Sequence, residues 1–245
     1  ITDDRYAKRQ RRGNTEGGGM IAQPQSLSEL RKTPHWSYSS INALANFCSM
    51  AWAYKYVYRV EPLHTPVNLV FGSVFHSALD FWAVRMFEGE DCSQEDLDAV
   101  FADLLTDECR SAEPPVKFSE SEDLDSLIQK GQRMLRAYIE AFDVEDRVLG
   151  IGVPFSVPLI DAAGETLAKP LIGEFDMTVE RDGVMYIVDW KTAARKWPES
   201  KALTDLQPTC YLWAHSFNTG DMNALFRFDV VTKTKTPACE QHITK

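Results

Sequence analysis

The chain reads as a mixed α/β protein in which a helical half precedes a sheet. Three observations predict this. Apolar residues recur at three- and four-residue spacing from about 37 to 145, β-branched runs bounded by Gly, Pro and Asp occupy about 150 to 240, and an Asp-Gly pair separates two of those runs. Helices followed by a strand meander, then a helix and a strand, imply a central mixed β-sheet flanked by helices. With 245 residues, 44% hydrophobic and 25% charged, the chain has material for one large domain. That domain is placed at 33–245. Residues 1–32 carry the cluster Arg5, Lys8, Arg9, Arg11 and Arg12 ahead of Gly17-Gly18-Gly19 and little apolar periodicity. They are expected to form a flexible basic arm, with a phosphate-contacting arm as the alternative.

In the helical half, Ile41, Leu44, Ala45, Cys48, Ala51 and Trp52 form the first stripe, with Ser39 or Ser40 as N-cap. Pro62, Pro66 and Gly72 mark a loop, and Phe75, Leu79, Trp82 and Met86 line the next helix. Ser93 with Asp96 starts a third, over Leu97, Val100, Phe101, Leu104 and Leu105. Ser119 and Glu122 have capping-box spacing ahead of a fourth, whose stripe runs from Leu124 to Phe142. Strands are expected at Val153 to Ile160, Leu171 to Val179, Val184 to Val188 and Phe226 to Val231. A helix from about Asp205 to Phe217 tolerates Pro208 only in its first turn.

Charge and cysteine usage limit the function classes. The net charge of −10 supplies no global positive field, so a nucleic-acid partner requires a local basic patch or bridging cations. Five widely spaced cysteines argue against a disulfide framework and a CxxC zinc site, and for a reducing, cytoplasmic setting of bacterial or phage type. The N-terminus does not resemble a secretory leader, and the longest uninterrupted apolar runs are far shorter than the roughly 18 residues that span a bilayer, so no membrane partner is expected. The histidines show no HxH or HExxH spacing, and Walker A and GxGxxG sequences are absent.

The chemistry-bearing segment runs from Gly173 to Lys191. Asp182-Gly183 fits a type I′ hairpin, which needs positive φ at both central residues. A two-residue loop, or a symmetric four-residue one, sets Asp176 directly across from Asp189; a three-residue bulged loop would shift that register by one. In the even register the two Cβ atoms lie roughly 4.5–5.5 Å apart, a destabilising like-charge pair unless compensated. A hard divalent cation held by both carboxylates is the natural compensation. Strand periodicity puts Lys191 on the same face as Asp189. Two acids and an amine at one strand end suit phosphodiester hydrolysis, where a cation polarises phosphate and acidifies water while the amine meets developing charge. A surface hairpin with solvated ends is the plainer alternative. His76 falls on the flank of its helix, where a lone histidine is more often structural, and Gln207 and Tyr211 lie four apart on one helical face.

Gly-x-x-x-His, Gly-x-x-Asp, Asp-x-Lys and Gln-x-x-x-Tyr, in this order, resemble the RecB-like exonuclease branch of the PD-(D/E)XK nuclease superfamily. The Ser37–Tyr56 segment resembles that branch's first helix, and Thr232-Lys233-Thr234-Lys235 fall on the strand expected after the last motif. The resemblance, over roughly 37 to 235, implies a restriction-endonuclease-like core. It implies that Asp176 and Asp189, with His76 and the backbone carbonyl of Trp190, hold Mg²⁺ or Mn²⁺, and that Lys191 serves the attacking water. Gln207 and Tyr211 would position the lysine or the DNA backbone. Many relatives carry an iron–sulfur cluster, but Cys210 and Cys239 supply no closely spaced trio. No cluster is expected, and Cys48 is read as buried on its helix.

The implied activity is a metal-dependent DNA exonuclease or processing nuclease of recombination, repair or phage DNA metabolism. It would act on single strands or duplex ends, with a helicase or recombination protein as possible partner. Local cations such as Arg195, Lys196, Lys233 and Lys235 would offset the acidic balance, and Trp197 would either stack on a base or pack on its own domain. The alternative is a non-cleaving DNA- or protein-binding module of the same fold.

Overall fold

A computed structural model describes residues 25–244. The basic cluster and glycine run of the expected arm lie outside the described residues. Residues 25–32 are within them and include a short helix. Helix α1 (Leu27–Leu30) is closed by a capping box between Ser26 and Glu29, and Leu30 is buried.

Next comes a broken helical segment. Helix α2 (Tyr38–Asn42) and helix α3 (Ser49–Trp52) each run into a five-residue π turn, Ala43–Phe47 and Ala53–Val57. The N-cap of α2 is Ser37 rather than Ser39 or Ser40. Its hydroxyl accepts from the Ser40 amide, so Ser40 fills the third helical position of the capping box.

Three long helices follow: α4 (Val67–Glu88), α5 (Gln94–Ser111) and α6 (Leu124–Ala141). Helix α4 starts at Val67, so Gly72 lies inside it rather than in the preceding loop. By length and hydropathy α4 alone would pass as a membrane span. Its stripe from Val67 through Trp82 to Ala83 is instead buried against α5, α6 and the sheet. Met86, expected on that stripe, is 46% exposed. Ser93 and Asp96 form the predicted capping box of α5. Helix α6 is capped by Asp123 with Ser126, while Ser119 Oγ donates to the Glu122 carboxylate at 2.7 Å without capping the helix. Caps of this kind contribute about 1 kcal/mol each.

Thr65–Pro66 (β1) and Val116–Lys117 (β2) make a small parallel pair beside these helices. The main sheet has five strands in order β3 (Arg147–Val157), β4 (Leu171–Arg181), β5 (Val184–Ala193), β6 (Leu225–Thr232), β7 (Cys239–Thr244). All neighbours are antiparallel except β5 and β6, whose parallel pairing requires a crossover. Helices α7 (Glu199–Thr204) and α8 (Leu206–Thr219) provide it. Pro208 sits in the first turn of α8, where its missing N–H costs nothing. Lys233 and Lys235 lie in the turn after β6 rather than on a strand. Polar, partly exposed β7 forms one edge of the sheet.

Two cores cover the two faces. Helices α4, α5 and α6 pack on Ile151, Met177, Val179, Val188 and Trp190. On the opposite face, α8 and α7 pack on Phe155, Phe175, Ile187, Phe226 and Phe228.

Candidate active site

The β4–β5 hairpin has the predicted register. Asp182 and Gly183 both have positive φ, at 53° and 76°, and the ladder runs from Arg181 opposite Val184 to Met177 opposite Val188. It stops one step short of the two acids. Beyond that point the two strands part, β4 continuing along β3 and β5 along β6. The amide of Trp190, released from the ladder, donates instead to Asp176 Oδ2 at 2.9 Å.

A second feature accounts for the break. Residues two apart in a strand normally share a face. Yet Phe175 packs in the α8-side core and Met177 in the α4–α6 core, and Val153 and Ile151 of β3 divide the same way. Both strands therefore change faces at Asp176 and Gly152, and Gly152 has φ 55°, a bulge-like conformation that favours glycine. Asp176 sits on this pivot. From there its carboxylate meets Trp190 of β5 and also His76 of α4, whose Nδ1 lies 3.4 Å from Oδ2.

Asp189 is 3% exposed and faces α8. Its Oδ1 accepts from Gln207 Nε2, and its Oδ2 is paired with the Lys191 ammonium. Gln207 Oε1 is buried without a hydrogen-bond partner. Helix α8 is set in place by Asp205, which caps it through the Gln207 amide at 2.9 Å and accepts the Tyr38 hydroxyl at 2.6 Å. Trp190, fully buried, is fixed by its indole N–H donating to Tyr138 Oη at 2.8 Å and by edge contacts with His76 and Tyr138.

The structure thus brings together His76, Asp176, Asp189, Trp190, Lys191 and Gln207. Gln207 holds the acid rather than the lysine. Tyr211 is joined to Gln207 by a side-chain hydrogen bond, and its ring packs on Phe155, Phe175 and Phe226. Burial, then the charges of Asp189 and Asp176, push its phenol well above the usual range. Cys48, expected to be buried, is exposed at the N-cap of α3. Trp197 packs on Phe228 under the Lys201 ammonium, favouring the self-packed reading over a free stacking platform.

The electrostatics mark Asp189 as undercompensated and Asp176 as compensated. Burial, opposed by Lys191 and reinforced by Asp176, pushes Asp189 up to about 6. Burial also acts on Asp176, but His76, Lys191 and the Trp190 amide outweigh it and hold that carboxyl below its ordinary value. Burial would depress Lys191, yet Asp189 and Asp176 keep its ammonium above the ordinary range. His76 is raised in spite of burial, through Asp176. One residue that the sequence motifs pass over joins this group. Asp80 stands one turn after His76 on α4, and burial followed by the Asp176 charge pushes it up to about 7. Its signal in the sequence is that it is the first charged residue in the otherwise apolar stretch beginning at Val67.

Among the described residues, no three His, Cys, Asp or Glu side chains already stand as a ligand cage. The donor set nevertheless fits a hard divalent cation. It offers two electrostatically coupled carboxylates, Asp189 buried and Asp176 partly exposed, and a buried Gln207 Oε1 that has no hydrogen-bond partner. Beside it opens a cleft of about 620 Å³, lined by Lys191, Arg195, Lys196, Lys201 and Asp205.

A family model for the PD-(D/E)XK nuclease superfamily matches residues 35–241. The chain belongs to that superfamily. No curated protein matches it. Among solved structures, a "putative exonuclease" from Eubacterium rectale shares the fold with a TM-score of 0.53 and 17% identity, over 94% of this chain and 79% of that one. The mixed α/β fold, with its five-stranded sheet between helices, is thus that of a PD-(D/E)XK nuclease.

Proposed function

We propose that the chain is a Mg²⁺- or Mn²⁺-dependent deoxyribonuclease of exonuclease or processing type, acting intracellularly in recombination, repair or phage DNA metabolism. Membership of the superfamily supports hydrolysis of nucleic acid. The observation that supports the reading is the end of the β4–β5 ladder one step before Asp176 and Asp189, where the two carboxylates lie near enough to act on each other's ionisation and Lys191 pairs with Asp189.

Asp176 and Asp189, joined by His76 and the Trp190 carbonyl, would hold the cation. When bound, it would polarise the phosphoryl oxygens and lower the pKa of water. The chain's own groups do the rest. Lys191 carries a fixed positive charge at the cleft wall, where it meets charge developing on phosphate. Gln207 fixes the Asp189 carboxylate through one oxygen and leaves the other turned to the lysine. His76 steadies Asp176 from α4. Lys191, Arg195, Lys196 and Lys201 give the cleft a local positive lining despite the chain's net charge of −10, although Lys196 is paired with Glu240. A helicase or recombination protein is the partner that such a nuclease would serve.

The test is cleavage of labelled single- and double-stranded DNA with Mg²⁺, Mn²⁺ or EDTA, beside Asp189→Ala and Lys191→Ala. Cleavage that needs the cation and fails in both variants is expected. Cleavage persisting in EDTA or in both variants would eliminate this centre, and tight binding without cleavage would favour a non-cleaving module.

A further inference from the structure

The segment from α2 to Val60 is built inside out. Its predicted core stripe is largely exposed: Leu44, Ala45, Cys48 and Ala51 face solvent, and no side chain of the two π turns or α3 is buried. The large apolar side chains Phe47, Met50, Tyr54, Val57 and Tyr58 follow at three- and four-residue spacing and are 52–82% exposed. Extended Cys48 and the two π turns interrupt the helical period, so these side chains make an exposed apolar stripe along the segment rather than one face of a regular helix. Exposed apolar stripes of this size mark interaction sites.

Three further observations select the occupant. In a chain of net charge −10, no Asp or Glu occurs between Arg31 and Val60, whereas Arg31, Lys32, Lys55 and Arg59 do. That composition repels an acidic partner least and suits a polyanion. Aromatic rings alternate with cations: Lys55 lies over Tyr56, Lys169 over Trp36, and Trp36, Trp52 and Tyr56 form a ring series at about 6 Å spacing. Rings interleaved with cations are how single strands are held without sequence preference. Finally, the segment is continuous with the site. Trp36 is hydrogen-bonded onto the start of β4, and Tyr38 bonds Asp205, which caps the helix carrying Gln207 and lines the basic cleft. Two π turns in so short a stretch are also uncommon outside functional regions.

We infer that the exposed stripe of Phe47, Met50, Tyr54 and Tyr58 is a stacking platform for single-stranded nucleic acid, which it delivers past Trp36 and Tyr38 to the basic cleft. This rests on the nuclease reading for its destination, while strand binding itself can be measured without it. The probe is a fluorescein-labelled oligo(dT) of about 20 nucleotides, titrated in EDTA so that nothing is cut. The triple variant Phe47→Ala/Tyr54→Ala/Tyr58→Ala should lose at least about tenfold in affinity. Tyr54→Phe/Tyr58→Phe, which keeps the rings, should bind as wild type does. Hydrolysis of bis(p-nitrophenyl) phosphate with Mn²⁺, which needs no strand, should be unchanged in both. If the triple variant melts early, Lys55→Glu/Arg59→Glu replaces it and should weaken binding and reduce the salt slope by about 1–2. Wild type that ignores oligo(dT), or ring and charge variants that bind as well as wild type, would overturn the inference. So would a triple variant that changes only oligomeric state, which would make the face a contact between copies. Failure of wild type to hydrolyse any phosphodiester with metal would instead remove the nuclease reading and leave strand binding standing.

Discussion

Two buried ionic clusters sit in this sheet, and their difference separates scaffold from site. In the first, Arg227 of β6 lies between Asp146 at 2.8 Å and Asp229 at 2.9 Å, and Arg181 joins through Asp146. Arg227, Asp146 and Asp229 side chains are 1% exposed or less. In the second, Asp176 and Asp189 meet His76 and Lys191, whose side chains are 33% and 30% exposed, Lys191 on the cleft wall. Burial pushes both Asp229 and Asp189 up to about 6, so a shifted carboxylate alone does not distinguish them. What differs is the counter-charge. The first has a fixed guanidinium sealed between its acids. The second has two acids held by a flexible amine and an imidazole that are themselves partly exposed. Sealed charge is architecture; undercompensated charge with an opening is a place for a cation and a substrate.

Breaking the sealed cluster should have the largest effect on stability. Arg227→Met leaves Asp146 and Asp229 buried without their partner and should cost about 3–5 kcal/mol in denaturant unfolding. The same change at the open cluster, Lys191→Met, should cost less, about 1–2 kcal/mol, because the lysine side chain is partly solvated. It should lower the cleavage rate constant about 10²–10³-fold, a barrier increase of roughly 3–4 kcal/mol, if the ammonium meets transition-state charge.

Asp80 gives the pH test. Its folded pKa, about 7, lies above its ordinary 3.8, so its contribution to stability is fully present below pH 4 and is lost as pH rises through 7. In metal-free protein Asp80→Asn should therefore match wild type at pH 4, gain on it between pH 4 and 7, and keep a constant lead above that, on the order of 1–3 kcal/mol. A lead that instead grew on acidification would show that Asp80 is ionised by a favourable partner. The smallest effect is expected at the hydrogen bond between α2 and the N-cap of α8. Tyr38→Phe removes the bond to Asp205 and should cost about 1 kcal/mol of stability, measured by thermal unfolding, with little change in turnover on a short substrate.

Much of this was legible in the chain. Asp182-Gly183 between β-branched runs dictates the hairpin and its register because only a primed turn matches strand twist. That register already places Asp176 and Asp189 as neighbours. The change of face at Gly152 and Asp176 was not legible, since strand parity assumes a regular pleat and the positive φ of Gly152 is a tertiary choice. The helix of Ile41 to Trp52 misled for the opposite reason. Its spacing is that of a core face, and spacing does not tell whether the surface covering it belongs to the same chain. Strand β7 was missed because Cys239–Thr244 is short and polar, as an edge strand can be. Asp80 escaped because it belongs to no motif, although an acid on an apolar helix face one turn from His76 is itself a sign of use.

The central claim is that Asp176 and Asp189 share a divalent cation where their strands part. Crystals grown in millimolar Mn²⁺ and measured for anomalous scattering test it directly. The account predicts a peak between those two carboxylates, within reach of His76, and its loss in Asp189→Ala. A map with no peak there, or with manganese only elsewhere, would contradict it.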